Sequence, residues 1–339
     1  MPALGLVLDA LTLTIVIAFF LSGVVALLPE PKGDAGSLSQ QSLIHLFLPP
    51  LGALAIVALG FWPATRAAMG GAPDHCLDAA ARHPHLCWAH GMPGGSAVHD
   101  FVVLLVLATG VTVALWLAFQ WAEGVGRLKL LRMVTDPERE AVVRDRLEGL
   151  GLSWPGPLQV IGIDLPLCFV MGWRQPRLIL STMVLDDLSS EQFAAVVAHE
   201  RAHLERRDNV WRLIGRLASL AHFPGLGRRA YRRWTDGAEI ACDDMASVRL
   251  GSRLAVADAL VRYQRLLSRR GAAGRPRPAL GVSFAETGTL ERRIRFLLEP
   301  PVPARSMGRH WPWVLLPVAL WQVETIHQAL EVLLAVLHG

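Results

Sequence analysis

The sequence predicts a multi-pass α-helical membrane protein with four spans, joined to a mainly α-helical soluble domain with a small β-sheet. Three observations lead to that class. The chain of 339 residues is 52% hydrophobic with a mean hydropathy of +0.37, too apolar for an ordinary soluble enzyme. Four apolar stretches are long enough, at about 1.5 Å per helical residue, to cross a hydrocarbon core of roughly 30 Å. Charge is also segregated along the chain: only Lys32, Arg66 and Arg82 precede residue 122, the remaining Lys and Arg lie between 122 and 310, and none follows. That is the positive-inside pattern, so a pI near 9.2 reflects topology and no direct nucleic-acid binding is expected.

The first span is residues 4–28, with Asp9 as its one charge. A cleaved signal peptide is disfavoured because no basic region precedes it and the apolar run is too long. Residues 29–42 read as a short turn-rich loop, and a second span follows at 43–62 with Pro49 and Pro50 inside it. Residues 63–98 read as an extracytoplasmic loop holding Cys76, Cys87 and several histidines. In an oxidising compartment Cys76 and Cys87 can pair, with an external metal or redox sensor as the alternative, whereas Cys168 and Cys242 stay reduced. The third span is 101–121; Arg127, Lys129 and Arg132 just after it put the next segment in the cytoplasm and both chain termini outside.

Residues 122–310 form the soluble domain. A helix is expected over 137–150 with Val142, Val143 and Leu147 inward, and short strands over 158–164 and 177–181. Ser189 with Gln192 three positions on is a capping box that opens a helix with no breaker before Gly215. That helix continues through 210–221 as an amphipathic stretch suited to the bilayer surface, and Arg228, Arg229, Arg232 and Arg233 follow it. Further helices are expected at 236–250 and 290–298, with a Gly/Pro/Arg-rich linker at 270–280. The fourth span, 311–337 within the closing segment 311–339, carries Glu324, His327 and Glu331 on one face, which suits either packing on other spans or last turns that lie at the interface.

The chemistry concentrates at His199-Glu200-x-x-His203. On a helix, residues four apart share a face, so both imidazoles reach one metal ion, and Glu200 is placed to take a proton from water. A catalytic zinc commonly has a third protein ligand. Glu239 is the candidate, on a separate helix with Asp243 four residues on, where Asp243 can hold a ligand histidine by accepting its second N–H. On spacing alone a solvated acidic face remains the alternative, and Asp243 and Asp208 are the next candidates for the ligand itself.

His199-Glu200-x-x-His203-x-x-Arg206-Arg207-Asp208, followed by Glu239-Ile240-Ala241-Cys242-Asp243 and preceded by Met171-Gly172-Trp173-Arg174-x-Pro176-Arg177, resembles the M56 group of membrane metallopeptidases, relatives of the BlaR and MecR antibiotic-sensing receptors. The resemblance is specific over about 160–250. It implies a gluzincin fold and one zinc ion held by His199, His203 and Glu239, with Glu200 as general base and Asp243 and Asp208 supporting the ligands. It also implies three spans, a cytoplasmic protease domain and a fourth span in a bacterial cytoplasmic membrane. In those receptors a penicillin-binding domain follows the last span; the sequence ends at Gly339, so β-lactam sensing is not expected. Arg177, Leu178, Ile179 and Leu180 are expected to pair with an extended substrate by strand addition.

The leading expectation is a signalling protease that cleaves a cytoplasmic regulator, such as a transcriptional repressor, or its own chain between about 268 and 296. The alternatives are housekeeping proteolysis of membrane proteins, as in the M48 peptidases, and a non-catalytic receptor scaffold with structural zinc. Glu200, unnecessary in a structural site, argues against the last.

Overall fold

The computed structural model describes residues 2–31, 33–69, 136–172, 175–269, 290–299 and 322–338, with isolated helical positions between 104 and 122. The cysteine-bearing loop beyond residue 69, most of the third span, the linker at 270–280 and the start of the fourth span lie outside these.

Among the described residues, two helices are long and apolar enough to cross a membrane, α1 (Pro2–Leu27) and α2 (Ala35–Gly60). A short α3 (Trp62–Ala68) follows. Helix α2 begins eight residues before the expected span, because Asp34 caps it by accepting from Ser37 N at 2.7 Å. The expected loop at 35–42 is therefore helix. Its polar look misled, since Ser39 and Ser42 are buried against protein. The closing helix α11 (Val323–His338) packs on α1 and α2. Its His327 donates from Nδ1 to the Gly60 carbonyl at 2.6 Å and approaches Glu331 at 3.3 Å, so these two residues of the polar face are turned into the bundle.

The second half of the chain opens with α4 (Pro137–Gly149), capped by Asp136. Val143 and Leu147 are buried in it, but Val142 is exposed, contrary to the expected inward face. Three strands follow, β1 (Leu158–Ile161), β2 (Cys168–Met171) and β3 (Arg177–Ser181), in the order β1-β3-β2, with β1 parallel and β2 antiparallel to β3. Strand β2 was not legible as a strand; it is a fully buried four-residue run without alternation. Tyr263 pins it by accepting from Cys168 N at 3.0 Å and donating to the Pro166 carbonyl at 2.9 Å.

After α5 (Thr182–Asp187) come α6 (Ser190–Arg206), α7 (Asp208–Leu220), α8 (Leu226–Leu250), α9 (Arg253–Arg269) and α10 (Leu290–Leu298). The expected capping box is present: Ser189 Oγ accepts from Gln192 N, and the Gln192 side chain from Ser189 N. The expected single helix through Gly215 is instead broken at Arg207, whose φ of 57° and ψ of 37° close α6 in the left-handed conformation. Phe193, Val196, Leu178, Leu180 and Val256 belong to one core shared by α6, the sheet and α9. Helix α8 packs on both α6 and α2, and its contact with α2 is made close by Gly237, where a Cβ would lie 3.2 Å from Ser39 Cα.

Candidate metal centre

The buried apolar stripe of α6 sets its rotation, and the opposite face turns His199, Glu200 and His203 toward α8. All three are fully or nearly fully buried, as are Glu239 and Asp243 on α8. The two imidazole rings meet edge to face with centroids 4.7 Å apart. Glu239 bridges them: its Oε2 is 3.4 Å from His199 Nε2 and its Oε1 3.5 Å from His203 Nε2. One donor atom from each of His199, His203 and Glu239 lies within 4.8 Å of the other two.

Each histidine is oriented from behind by a carboxylate. His199 Nδ1 lies 2.9 Å from Asp243 Oδ1, and His203 Nδ1 donates to Asp208 Oδ2 at 2.7 Å. Such contacts fix the tautomer and leave Nε2 aimed into the cluster. The left-handed Arg207 is what makes the second one possible, because the chain reverses there and brings Asp208 back to a histidine five residues earlier.

The residues fit a divalent cation. His203 Nε2 and Glu200 Oε1 are buried without a hydrogen-bond partner among the described residues, a state that costs about 1–3 kcal/mol per group unless something else meets them. Two imidazoles and one carboxylate are a donor set suited to such an ion. His203, Asp208 and Cys242 also cluster within ligand range. That second triad competes poorly, because His203 Nδ1 is committed to Asp208 and burial pushes the Cys242 thiol well up, keeping it protonated.

Electrostatics divide the acids. Burial raises the Glu200 carboxyl to about 8, only partly opposed by His199. Its Oε2 accepts from Val170 N of β2 at 3.1 Å. Burial also works against charge on Glu239, yet nearby His203 and Arg293 outweigh it and hold that carboxyl well below its ordinary range. Burial opposes ionisation of Asp243 too, but Arg293 overcomes it. For His199, burial is outweighed by the bonds to Asp243 and Glu239, which raise it to about 9, whereas burial leaves His203 lowered.

Arg293 on α10 was missed in the sequence. It is buried, gives Asp243 a two-pronged contact (Nε to Oδ2 at 2.6 Å, Nη2 to Oδ1 at 2.7 Å), and reaches Glu239 Oε2 from Nη1 at 3.1 Å. A signal was available: Arg293 interrupts the apolar stripe of Leu290, Ile294 and Leu297 on a nine-residue helix. Arg212, read as part of a polar face, holds Glu239 Oε1 at 2.7 Å. Arg206 donates to both Asp208 Oδ2 at 3.2 Å and Ser39 Oγ of α2 at 2.8 Å.

The strand expected to take a substrate is placed differently. β3 is central, with Leu178, Ile179 and Leu180 buried and its backbone paired on both sides, so Arg177 to Leu180 cannot accept an added strand. The edge beside Glu200 is β2. Cys168 and Cys242 are both buried free thiols, and Cys76 and Cys87 lie outside the described residues.

A family model described as BlaR1 peptidase M56 matches residues 93–297. The chain belongs to the M56 peptidase family. The M56 match runs through the sheet, α6 and α8 and ends inside α10, so the helix that delivers Arg293 falls within the peptidase unit. Membership of a metallopeptidase family agrees with a metal at His199, His203 and Glu239.

Proposed function

We propose that the protein is a zinc-dependent endopeptidase of the membrane, acting as a signalling protease on a cytoplasmic regulator or on its own chain. The observation that carries this reading is the convergence of His199, His203 and Glu239 around one point, with the partnerless Oε1 of Glu200 beside it. His199, His203 and Glu239 would hold the zinc, which when bound supplies the Lewis acidity that polarises a peptide carbonyl and lets water lose a proton near neutral pH. Glu200 takes that proton on Oε1 and returns it to the leaving amine. Its buried, raised carboxyl is matched to a proton that must be taken and given back near neutral pH. Asp243 and Asp208 hold the two imidazoles in register.

The outward edge of β2 is the substrate platform in this reading. The Val170 amide donates to Glu200 Oε2 and the Val170 carbonyl accepts from Asn209 Nδ2 at 3.3 Å, so both groups point away from β3, and an extended peptide pairing here would take the place of those two side chains. The topology we propose has four spans, both termini outside and the peptidase domain cytoplasmic; the two apolar helices and the basic content after residue 122 support it. What favours signalling over housekeeping is a continuous polar path from a membrane helix to a metal-site histidine, running Ser39, Arg206, Asp208, His203.

Comparative proteomics of cells carrying wild-type and Glu200→Gln protein tests the function. Fragments of a regulator, or of this chain between about 268 and 296, should appear only with the wild type, while purified Glu200→Gln keeps its metal. Equal cleavage by the variant would remove Glu200 from the mechanism.

A further inference from the structure

Helices α1, α2 and α8 enclose a pocket remote in function from the metal cluster. Its polar wall is formed by Arg229 and Arg233 of α8, one turn apart on one face, with His45 and Ser42 of α2 opposite. Val25 and Ala26, in the last turn of α1, supply an apolar wall. The pocket therefore sits at the end of a helix long and apolar enough to cross a membrane, where the proposed topology puts lipid headgroups.

Charge is incompletely balanced there. Arg233 meets Glu30 at 2.9 Å, and that glutamate is 65% exposed. No hydrogen bond or ion pair from the Arg229 side chain is made to the described residues. Guanidinium groups in such a setting favour phosphate oxygens, which they meet two-pronged. The same elements carry exposed apolar side chains, Val24 and Leu27 of α1 and Leu217 and Leu220 of α7. The exposed Phe223 is tied to α1 by its edge-to-face contact with Phe19 and by its backbone N–H, which donates to the pocket-lining Ser22, so the rim is apolar. A soluble phosphate would leave this rim unused, whereas acyl chains cover it.

We propose that this pocket binds the phosphate headgroup of an anionic membrane phospholipid, held by Arg229 and Arg233 with its chains along α1 and α7. The other two arginines of the basic run, Arg228 and Arg232, are exposed, as Arg229 is, but do not line the pocket. This inference stands on the membrane-end position of the pocket and is independent of proteolysis.

The test uses full-length protein in detergent, titrated with phosphatidylglycerol or phosphatidylcholine and followed by native mass spectrometry. Wild type should bind one phosphatidylglycerol at least about tenfold more tightly than phosphatidylcholine. One basic residue near an anionic surface is worth roughly a fivefold change, so Arg229→Gln with Arg233→Gln should weaken phosphatidylglycerol about 25-fold. Arg228→Gln with Arg232→Gln removes the same charge and should change it less than twofold. Equal weakening by both pairs would mean general surface attraction and overturn the pocket. Glycerol phosphate binding as tightly as the lipid would overturn the lipid assignment in favour of a soluble phosphate, and equal affinity for both lipids would overturn the proposal outright. Metal content, unchanged in all variants, reports that each is folded.

Discussion

Arg293→Gln is the most informative substitution in the metal centre. It removes two short charged bonds to Asp243, at 2.6 and 2.7 Å, and a third contact to Glu239 at 3.1 Å, leaving two buried carboxylates without their common cation. Breaking a buried ion pair from one side costs about 3–5 kcal/mol, and that is the loss expected for metal-free protein. With a divalent ion bound, Glu239 is neutralised by the metal and only the Asp243 bonds are missed, so the loss should fall to about 2 kcal/mol. The assay is urea denaturation of full-length protein in mild detergent, with zinc or with chelator. Arg293→Gln should therefore gain more from zinc than the wild type does. Arg293→Lys, which keeps the charge but not the planar fork, should recover part of the loss. Equal midpoints for wild type and Arg293→Gln in chelator would mean the guanidinium does not hold the cluster. A loss independent of metal would mean that Arg293 and the metal do not share Glu239.

Glu239→Ala should cut zinc content severalfold in purified protein while Asp208→Ala costs roughly 10–100-fold in metal affinity without abolishing binding; full occupancy in the Glu239 variant, read by atomic absorption, would require another third ligand. The pH dependence has a definite sign. His199 is raised from 6.5 to about 9 and Glu200 from 4.5 to about 8, so the stability that each contributes is complete below its ordinary value and lost as pH climbs through the raised one. Chelated protein should thus melt lower at pH 9 than at pH 6.5, and zinc affinity should rise over the same interval because a proton on His199 must leave; a melting temperature that rises over this range contradicts the His199 and Glu200 environments. For topology, a cysteine introduced near position 95 should react with an impermeant reagent on intact cells and one near 275 should not. The reverse labelling would invert the proposed orientation.

The metal centre was legible in part because its chemistry is local. His199, Glu200 and His203 are one helix face, and Glu239 with Asp243 are another, so spacing alone exposes both. Asp208 was legible only as part of a longer pattern, because its contact with His203 depends on the left-handed turn at Arg207, and no glycine marks that turn. Arg293 and Arg212 were lost because contact across 50 and 27 residues is set by packing, which no periodicity records. The same holds for α2: its first two turns look like a loop until α8 is laid against them. β2 was missed and β3 overvalued for one reason, that the sequence shows which runs are apolar but not which one ends at the edge of the sheet.

Helix α2 belongs to two bodies at once. Ala35 and Leu38 pack on Ile240 and Ala241, and Leu46 on Trp234, while Val57 near the other end packs on Leu13 and Leu330. With Gly237 drawn to within van der Waals reach of Ser39, the helix bearing Glu239 and Asp243 has a stretch of a helix apolar enough to cross a membrane as part of its own interior. A fragment cut at residue 122 would leave Trp234, Ile240 and Ala241 facing water and would strip Arg206 of its Ser39 partner. The catalytic half of this molecule therefore has no autonomous boundary in the sequence: what looks like an anchor is also a wall of the enzyme.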